Sequence, residues 1–131
     1  QPPYDVGLMR IANGWRFVEN DGGGEFSFDF RAESGSESEM AARCHYLQTS
    51  PDSGFVQSLV AQRRRPRSHL TLRGRVLTEL GGNGRQTREL GSAAELLATL
   101  ADAFDLHVPG VEDLWPRILR RHEELFGDGR D

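Results

Sequence analysis

The chain has 131 residues and a mass of 14.7 kDa, enough for one domain or for a small domain joined to part of another. Its 37% hydrophobic and 27% charged residues suit a soluble globular protein, and a formal net charge of −4 excludes non-specific nucleic-acid binding by the chain as a whole. A single Cys rules out an intramolecular disulfide and fits a reducing cytoplasm, while no apolar run approaches the roughly 18 residues of a membrane span.

Val6, Leu8 and Ile11 precede Asn13-Gly14, and Trp15, Phe17 and Val18 follow it. Asn and Gly both tolerate positive φ, so this spacing predicts a β-hairpin. A second turn at Asp21-Gly22-Gly23-Gly24 leads into Phe26-Ser27-Phe28-Asp29-Phe30. Strict alternation there predicts a strand with three Phe on one face, packed as core rings against the sheet. Ala32 to Ser38 reads as a polar connector. Ser36 and Glu39 then stand at capping-box spacing, which predicts a helix from about Glu37 into the Tyr46 region.

Ser50-Pro51 predicts a further helical start, with Ser as N-cap and Pro at the first helical position. Val56, Ser58 and Val60 alternate with Gln57, Leu59 and Ala61, as in a strand. Leu70-Thr71-Leu72 and Val76-Leu77-Thr78 read as another strand with a bulge at Gly74, and Gly81-Gly82-Asn83-Gly84 turns it back towards Gln86 to Leu90. Ser92 and Glu95 form a second capping box ahead of Leu96, Leu97, Leu100, Ala101 and Phe104, which share one helical face. A last helix is expected from Trp115 to Phe126, with Pro116 in its first turn and an inward stripe of Ile118, Leu119, His122, Leu125 and Phe126. Gly127 to Asp131 reads as a frayed tail.

Cys44 lies next to His45, but adjacent residues on a regular element point in different directions. Cys44 is therefore read as structural or incidental. The four His residues lack metal-ligand spacing, so no metal site is expected, and His122 reads as a satisfied, partly buried group. Arg63-Arg64-Arg65-Pro66-Arg67 is the one dense basic run. It is either a solvated loop or an electrostatic guide for phosphates, since Arg forks match phosphate geometry. The two Gly clusters lack the strand-loop-helix setting of a phosphate loop and read as hairpin turns.

The segment Tyr46-Leu47-Gln48-Thr49-Ser50-Pro51-Asp52-Ser53-Gly54-Phe55 closely resembles the Tyr-Leu-Gln-Thr-Ser-Pro-x-Ser-x-Phe segment of the arylamine N-acetyltransferases. Leu70-Thr71-Leu72-x-Gly74 and Phe104-Asp105-Leu106 give softer support. The resemblance implies an α+β fold. Residues 1–44 would be antiparallel strands of a partial β-barrel, and residues 45–131 an α/β lid with two C-terminal helices.

It also implies ping-pong transfer of acetyl from acetyl-CoA to an arylamine, through a Cys-His-Asp triad lying earlier in the family's sequence. No residue of this chain matches that triad, so no catalytic residue is assigned, and the residues leave open whether the chain alone is an enzyme. Tyr46 and Ser53 would contact CoA, and Phe55 would line the acceptor pocket. Asp52 stands where family members often carry a hydroxyl, and an acid there would repel a phosphate. The chain, which begins at Gln1, would be the C-terminal portion of a cytoplasmic bacterial enzyme; the absence of Lys fits a GC-rich bacterial genome. Its barrel strands would be completed by the N-terminal half or by a second copy, without nucleic acid or membrane as partner. Two alternatives stay open: a related amide synthase, and a non-catalytic binding module that retains the lid fold.

Overall fold

The computed structural model describes residues 4–127, so the tail expected from Gly127 lies, from residue 128 on, outside the described residues. The architecture is α+β, with two antiparallel sheets. Strands β1 (Asp5–Ile11), β2 (Gly14–Asn20) and β3 (Glu25–Phe30) form the first, in the order β1-β2-β3. The expected hairpin is present, with Ala12 and Asn13 at the turn and Gly14 already paired with Ile11. Gly14 has a second reason to lack a side chain: a Cβ there would lie 2.2 Å from the Phe30 carbonyl oxygen.

Register brings Trp15 opposite Phe30, Phe17 opposite Phe28, and Leu8 opposite Phe17, so one face of this sheet is strongly apolar. The sequence predicts that its Phe side chains are core. They are not: Phe26, Phe28 and Phe30 are 60%, 49% and 39% exposed. The rings contact each other instead, with Phe17 and Phe28 stacked at 5.1 Å, and the buried apolar cluster draws no residue from this sheet. Alternation set the strand and its face correctly, but a three-stranded sheet buries a face only where another layer covers it.

Helix α1 (Glu37–Thr49) begins where Ser36 Oγ accepts from the Glu39 N–H, as the capping box predicts, and it buries no residue fully. The next start differs. Pro51 and Asp52 form a turn, and Ser53 rather than Ser50 caps the short helix α2 (Gly54–Gln57). Val56 and Gln57 are therefore helical, and the expected strand begins only at Val60. Strands β4 (Val60–Arg64), β5 (Ser68–Arg73), β6 (Val76–Gly81) and β7 (Gly84–Glu89) form the second sheet, paired in chain order. Gly74 is not a bulge within one strand. At φ 59° it turns β5 into β6, so the sheet has one more hairpin than the sequence predicts.

Helix α3 (Ala93–Phe104), a 3-10 turn (Val111–Leu114) and α4 (Trp115–Phe126) complete the chain. Leu70, Leu72 and Leu77 of the second sheet join Leu96, Leu100 and Phe104 of α3 in the buried core, with Leu90, Val111 and Ile118 at its borders. Fully burying each such leucine is worth roughly 1.5–3 kcal/mol. Leu97, expected on the same helical face, is 39% exposed. On α4 the inward stripe is narrower than expected: Ile118 is buried and His122 half-buried, while Leu119, Leu125 and Phe126 are exposed.

α3 ends in an αL cap, with Asp105 at φ 59° donating its N–H to the Ala101 carbonyl at 3.1 Å and the Leu106 N–H donating to the Leu100 carbonyl at 2.9 Å. Arg63 and Arg65 add donors to the Ala103 carbonyl at 3.2 and 3.4 Å, where the helix dipole favours cations. Part of the basic run thus has a structural use. Side-chain ties join the sheets: the Tyr4 hydroxyl lies 2.6 Å from His69 Nδ1, the Arg64 guanidinium lies 5.1 Å from the Tyr4 ring centroid, and Arg85 donates to the Asp21 carboxylate.

Glu95 closes the start of α3 by accepting from the Gly91 N–H at 2.7 Å and from Arg88. The backbone hydrogen bond first, and Arg88 second, hold its carboxyl below the usual range. A depressed folded-state pKa contributes stability above the unfolded value of about 4.3, and loses it as pH falls through the folded value. Glu95→Gln is therefore expected to lower the melting temperature at neutral pH, with the difference from the native chain closing towards about pH 3. An equal deficit at both pH values would show that the charge is not the stabilising element.

Candidate ligand-binding site

The Tyr46–Phe55 segment turns from α1 into α2 and places its three candidate residues differently. Tyr46 sits near the end of α1, 38% exposed, with the Arg43 guanidinium 4.8 Å from its ring centroid. Ser53 is buried, at 2% exposure. Its Oγ donates to the Leu47 carbonyl at 2.7 Å and accepts from the Phe55 N–H at 3.3 Å. The hydroxyl has one proton, and Leu47 takes it. Phe55 follows on α2 and is 70% exposed. Asp52 is exposed in the turn between the helices.

Phe55 also lines a cavity of about 540 Å³, within the usual size of a small-molecule site. Its floor is the face of the second sheet opposite α3, where His69, Thr71 and Arg73 alternate along β5. α4 forms a wall with Arg117, Arg121 and His122, and Leu125 and Phe126 turn towards this space instead of the core. Tyr46 and Ser53 do not line it. Five arginines (Arg73, Arg75, Arg85, Arg117 and Arg121) border the cavity against one carboxylate, Asp21. Three of the five are ion-paired, Arg85 with Asp21, Arg75 with Glu89 and Arg121 with Glu124, which leaves Arg73 and Arg117 without a carboxylate partner among the described residues.

Several of these groups are anchored. Arg117 donates to the Val56 carbonyl at 3.0 Å, and Arg121 donates to Gln57 Oε1 at 2.9 Å and to Glu124 at 3.0 Å. Arg121 Nε is buried without a partner. His122 Nε2 lies 3.3 Å from Glu89 Oε1, the satisfied position the sequence predicts. Asp21 is held below the usual carboxylate range by the Gly23 N–H first and by Arg85 after it. Burial, followed by the charges of Glu19 and Asp21, pushes the Tyr4 phenol up.

Cys44 is exposed on α1, away from this cavity, and its Sγ accepts from Gln48 Nε2 at 3.3 Å. Among the described residues no cluster of three or more His, Cys, Asp or Glu is placed to hold a metal ion, and no helix is long and apolar enough to cross a membrane. The cavity arginines are not legible in the sequence because they are scattered over three elements, β5, β7 and α4, and the turn between β5 and β6. The spacing of Arg117 and Arg121, four apart on one helical face, was the one available signal.

This arrangement has the fold of the arylamine N-acetyltransferases. The Mycobacterium abscessus arylamine N-acetyltransferase is 28% identical over 90% of this chain and 44% of its own, with a TM-score of 0.68. The M. smegmatis enzyme is 21% identical over 92% of this chain and 44% of its own, with a TM-score of 0.75. For the Mycobacterium marinum enzyme in complex with CoA the values are 21%, 91%, 44% and 0.70. The chain spans less than half the length of each of these proteins. A family model described as N-acetyltransferase matches residues 11–113, and the chain belongs to that family. No curated protein sequence matches it.

Ser53 offers a direct test of this geometry. Ser53→Ala removes an N-cap and leaves the Leu47 carbonyl and Phe55 N–H without their partner, at an expected cost of about 1–3 kcal/mol in urea unfolding. Unchanged stability would mean that the hydroxyl does not hold this turn.

Proposed function

We propose that the chain is the C-terminal portion of an arylamine N-acetyltransferase, contributing one wall of the CoA cleft and part of the acceptor pocket. The observation that carries this reading is the family match over residues 11–113, which contains the whole Tyr46–Phe55 segment. The complex of the M. marinum relative with CoA supports acetyl-CoA as co-substrate. In the complete protein, acetyl would pass to a Cys supplied upstream of this chain, and an arylamine nitrogen would then attack the thioester. A His would move the proton and an Asp would orient the His, and neither role falls to a residue of this chain. No metal takes part.

Tyr46 belongs to the CoA side, where its hydroxyl can meet a phosphate. Ser53 serves the same side by fixing the turn between α1 and α2, since its own proton is committed to Leu47. Phe55, exposed at the cavity, lines the acceptor pocket. Residues 1–44 belong to the barrel part and 45–131 to the lid, with α1 running through the junction. The apolar face of the first sheet is the surface for the N-terminal half or a second copy. The setting is a bacterial cytoplasm.

Acetylation of a simple arylamine by acetyl-CoA tests the assignment, measured with the complete protein and with residues 1–131 alone. The complete protein should turn over and the short chain should be silent, because a positioned nucleophile and base supply most of the rate. In the complete protein, Tyr46→Phe should weaken CoA binding about ten-fold to a hundred-fold, the worth of a charge-assisted hydrogen bond. Turnover by the short chain that disappears with Cys44→Ser would overturn the reading and make Cys44 the nucleophile.

A further inference from the structure

We propose that the cavity between the second sheet and α4 is a binding site for an organic acid, a single anionic group carried on an apolar body. Three observations carry this. Two of its five arginines, Arg73 and Arg117, have no carboxylate partner among the described residues, so uncompensated positive charge faces the cavity of a chain that is acidic as a whole. Such a field, inside walls of lower dielectric than water, draws in anions and holds them more strongly than an open surface would. Arg75, Arg85 and Arg121 are held in ion pairs with Glu89, Asp21 and Glu124, and the uncompensated charge comes from the other two. Arg73 takes part in none of the ion pairs among the described residues, and Arg117 spends its hydrogen bond on a backbone carbonyl and so keeps its charge uncompensated.

Preorganisation is the second observation. Arg117 and Arg121 stand one turn apart on α4 and are both fastened to α2, through Val56 and Gln57. Their guanidinium groups are thus positioned before any ligand arrives, which lowers the entropy lost on binding.

The third observation concerns the rest of the lining. Val76 and Leu80 on the sheet, and Leu125 and Phe126 on α4, supply an apolar surface. On α4 these side chains are left exposed where an inward stripe was expected. A free phosphate would use only the arginines and a neutral lipid only the apolar wall. An acid with an apolar body uses both. This inference rests on the proposed acceptor pocket, since Phe55 lines the same cavity, and it names the chemistry of the molecule held there.

Isothermal titration of the 131-residue chain with octanoate, octanol and inorganic phosphate, in the absence of acetyl-CoA, tests the proposal. Octanoate should bind at least about ten-fold more tightly than either control, since each control lacks one half of the recognition. Arg121→Gln and Arg73→Gln should each weaken octanoate about ten-fold, while Arg67→Gln, outside the cavity, should leave it unchanged. Arg73 holds no other group in place, so a folded Arg73→Gln chain, checked by its melting curve, keeps the test valid if Arg121→Gln unfolds. Octanol or phosphate binding as tightly as octanoate, or an Arg73→Gln chain with native affinity, would overturn the proposal. So would displacement of octanoate by CoA, which would assign the arginines to the nucleotide phosphates. These outcomes are read without turnover, so they can fail while the acetyltransferase reading stands, and the reverse.

Discussion

The leucine layer between the second sheet and α3 is the contact on which the rest of this structure depends. Leu72, Leu90 and Leu96 have no exposed surface, and Leu70, Leu100 and Phe104 nearly none. The local chemistry around this layer serves to fix its geometry. Ser92 caps α3 at one end, and Asp105 with Arg63 and Arg65 closes the other. Gly74, with its left-handed φ, lets β5 and β6 turn tightly enough for Leu72 and Leu77 to face each other. Once the sheet is pinned on this face, its opposite face is left to form the cavity floor, and α4 closes over it through Ile118.

The first sheet stands in a different physical position. Its hairpins are well formed and its register is regular, yet its apolar face contributes nothing to the buried core. The Phe17–Phe28 pair across β2 and β3 gives it some internal cohesion, of the order of 0.5–1.5 kcal/mol. Its side-chain links to the second sheet run from Tyr4 to His69 and Arg64 and from Asp21 to Arg85. The solved relatives are more than twice as long as this chain, and the proposed occupant of the aromatic face is the N-terminal half of such an enzyme or a second copy.

Much of the fold was legible because its signals are local. Capping boxes at Ser36 and Ser92, the turns near Gly14 and Gly82, and the bounds of α4 all follow from residues within a few positions of one another. Errors arose where a choice depended on a distant partner. Alternation correctly placed three Phe on one face of β3, but burial needs a second layer that no local pattern encodes. Gly74 reads in the sequence as a bulge, and only the pairing of β5 with β6 makes it a turn; Ser50 reads as the cap, and the cap falls to Ser53, whose hydroxyl donates to the Leu47 carbonyl. The Tyr46–Phe55 segment was legible through its resemblance, and the comparisons bear out the family. The arginine-lined cavity was not legible, because Arg73, Arg85, Arg117 and Arg121 meet only through tertiary structure.

Native-state hydrogen exchange, read residue by residue on the 131-residue chain, tests the central claim that one sheet carries the core and the other lacks a covering layer. Amides open with free energies that follow the burial and packing around them. The account expects the slowest exchange in β5, β6 and α3, with β1 to β3 exchanging markedly faster despite their complete ladder of hydrogen bonds. Protection in β1 to β3 equal to that of β5 and β6, in a chain shown to be monomeric, would contradict it.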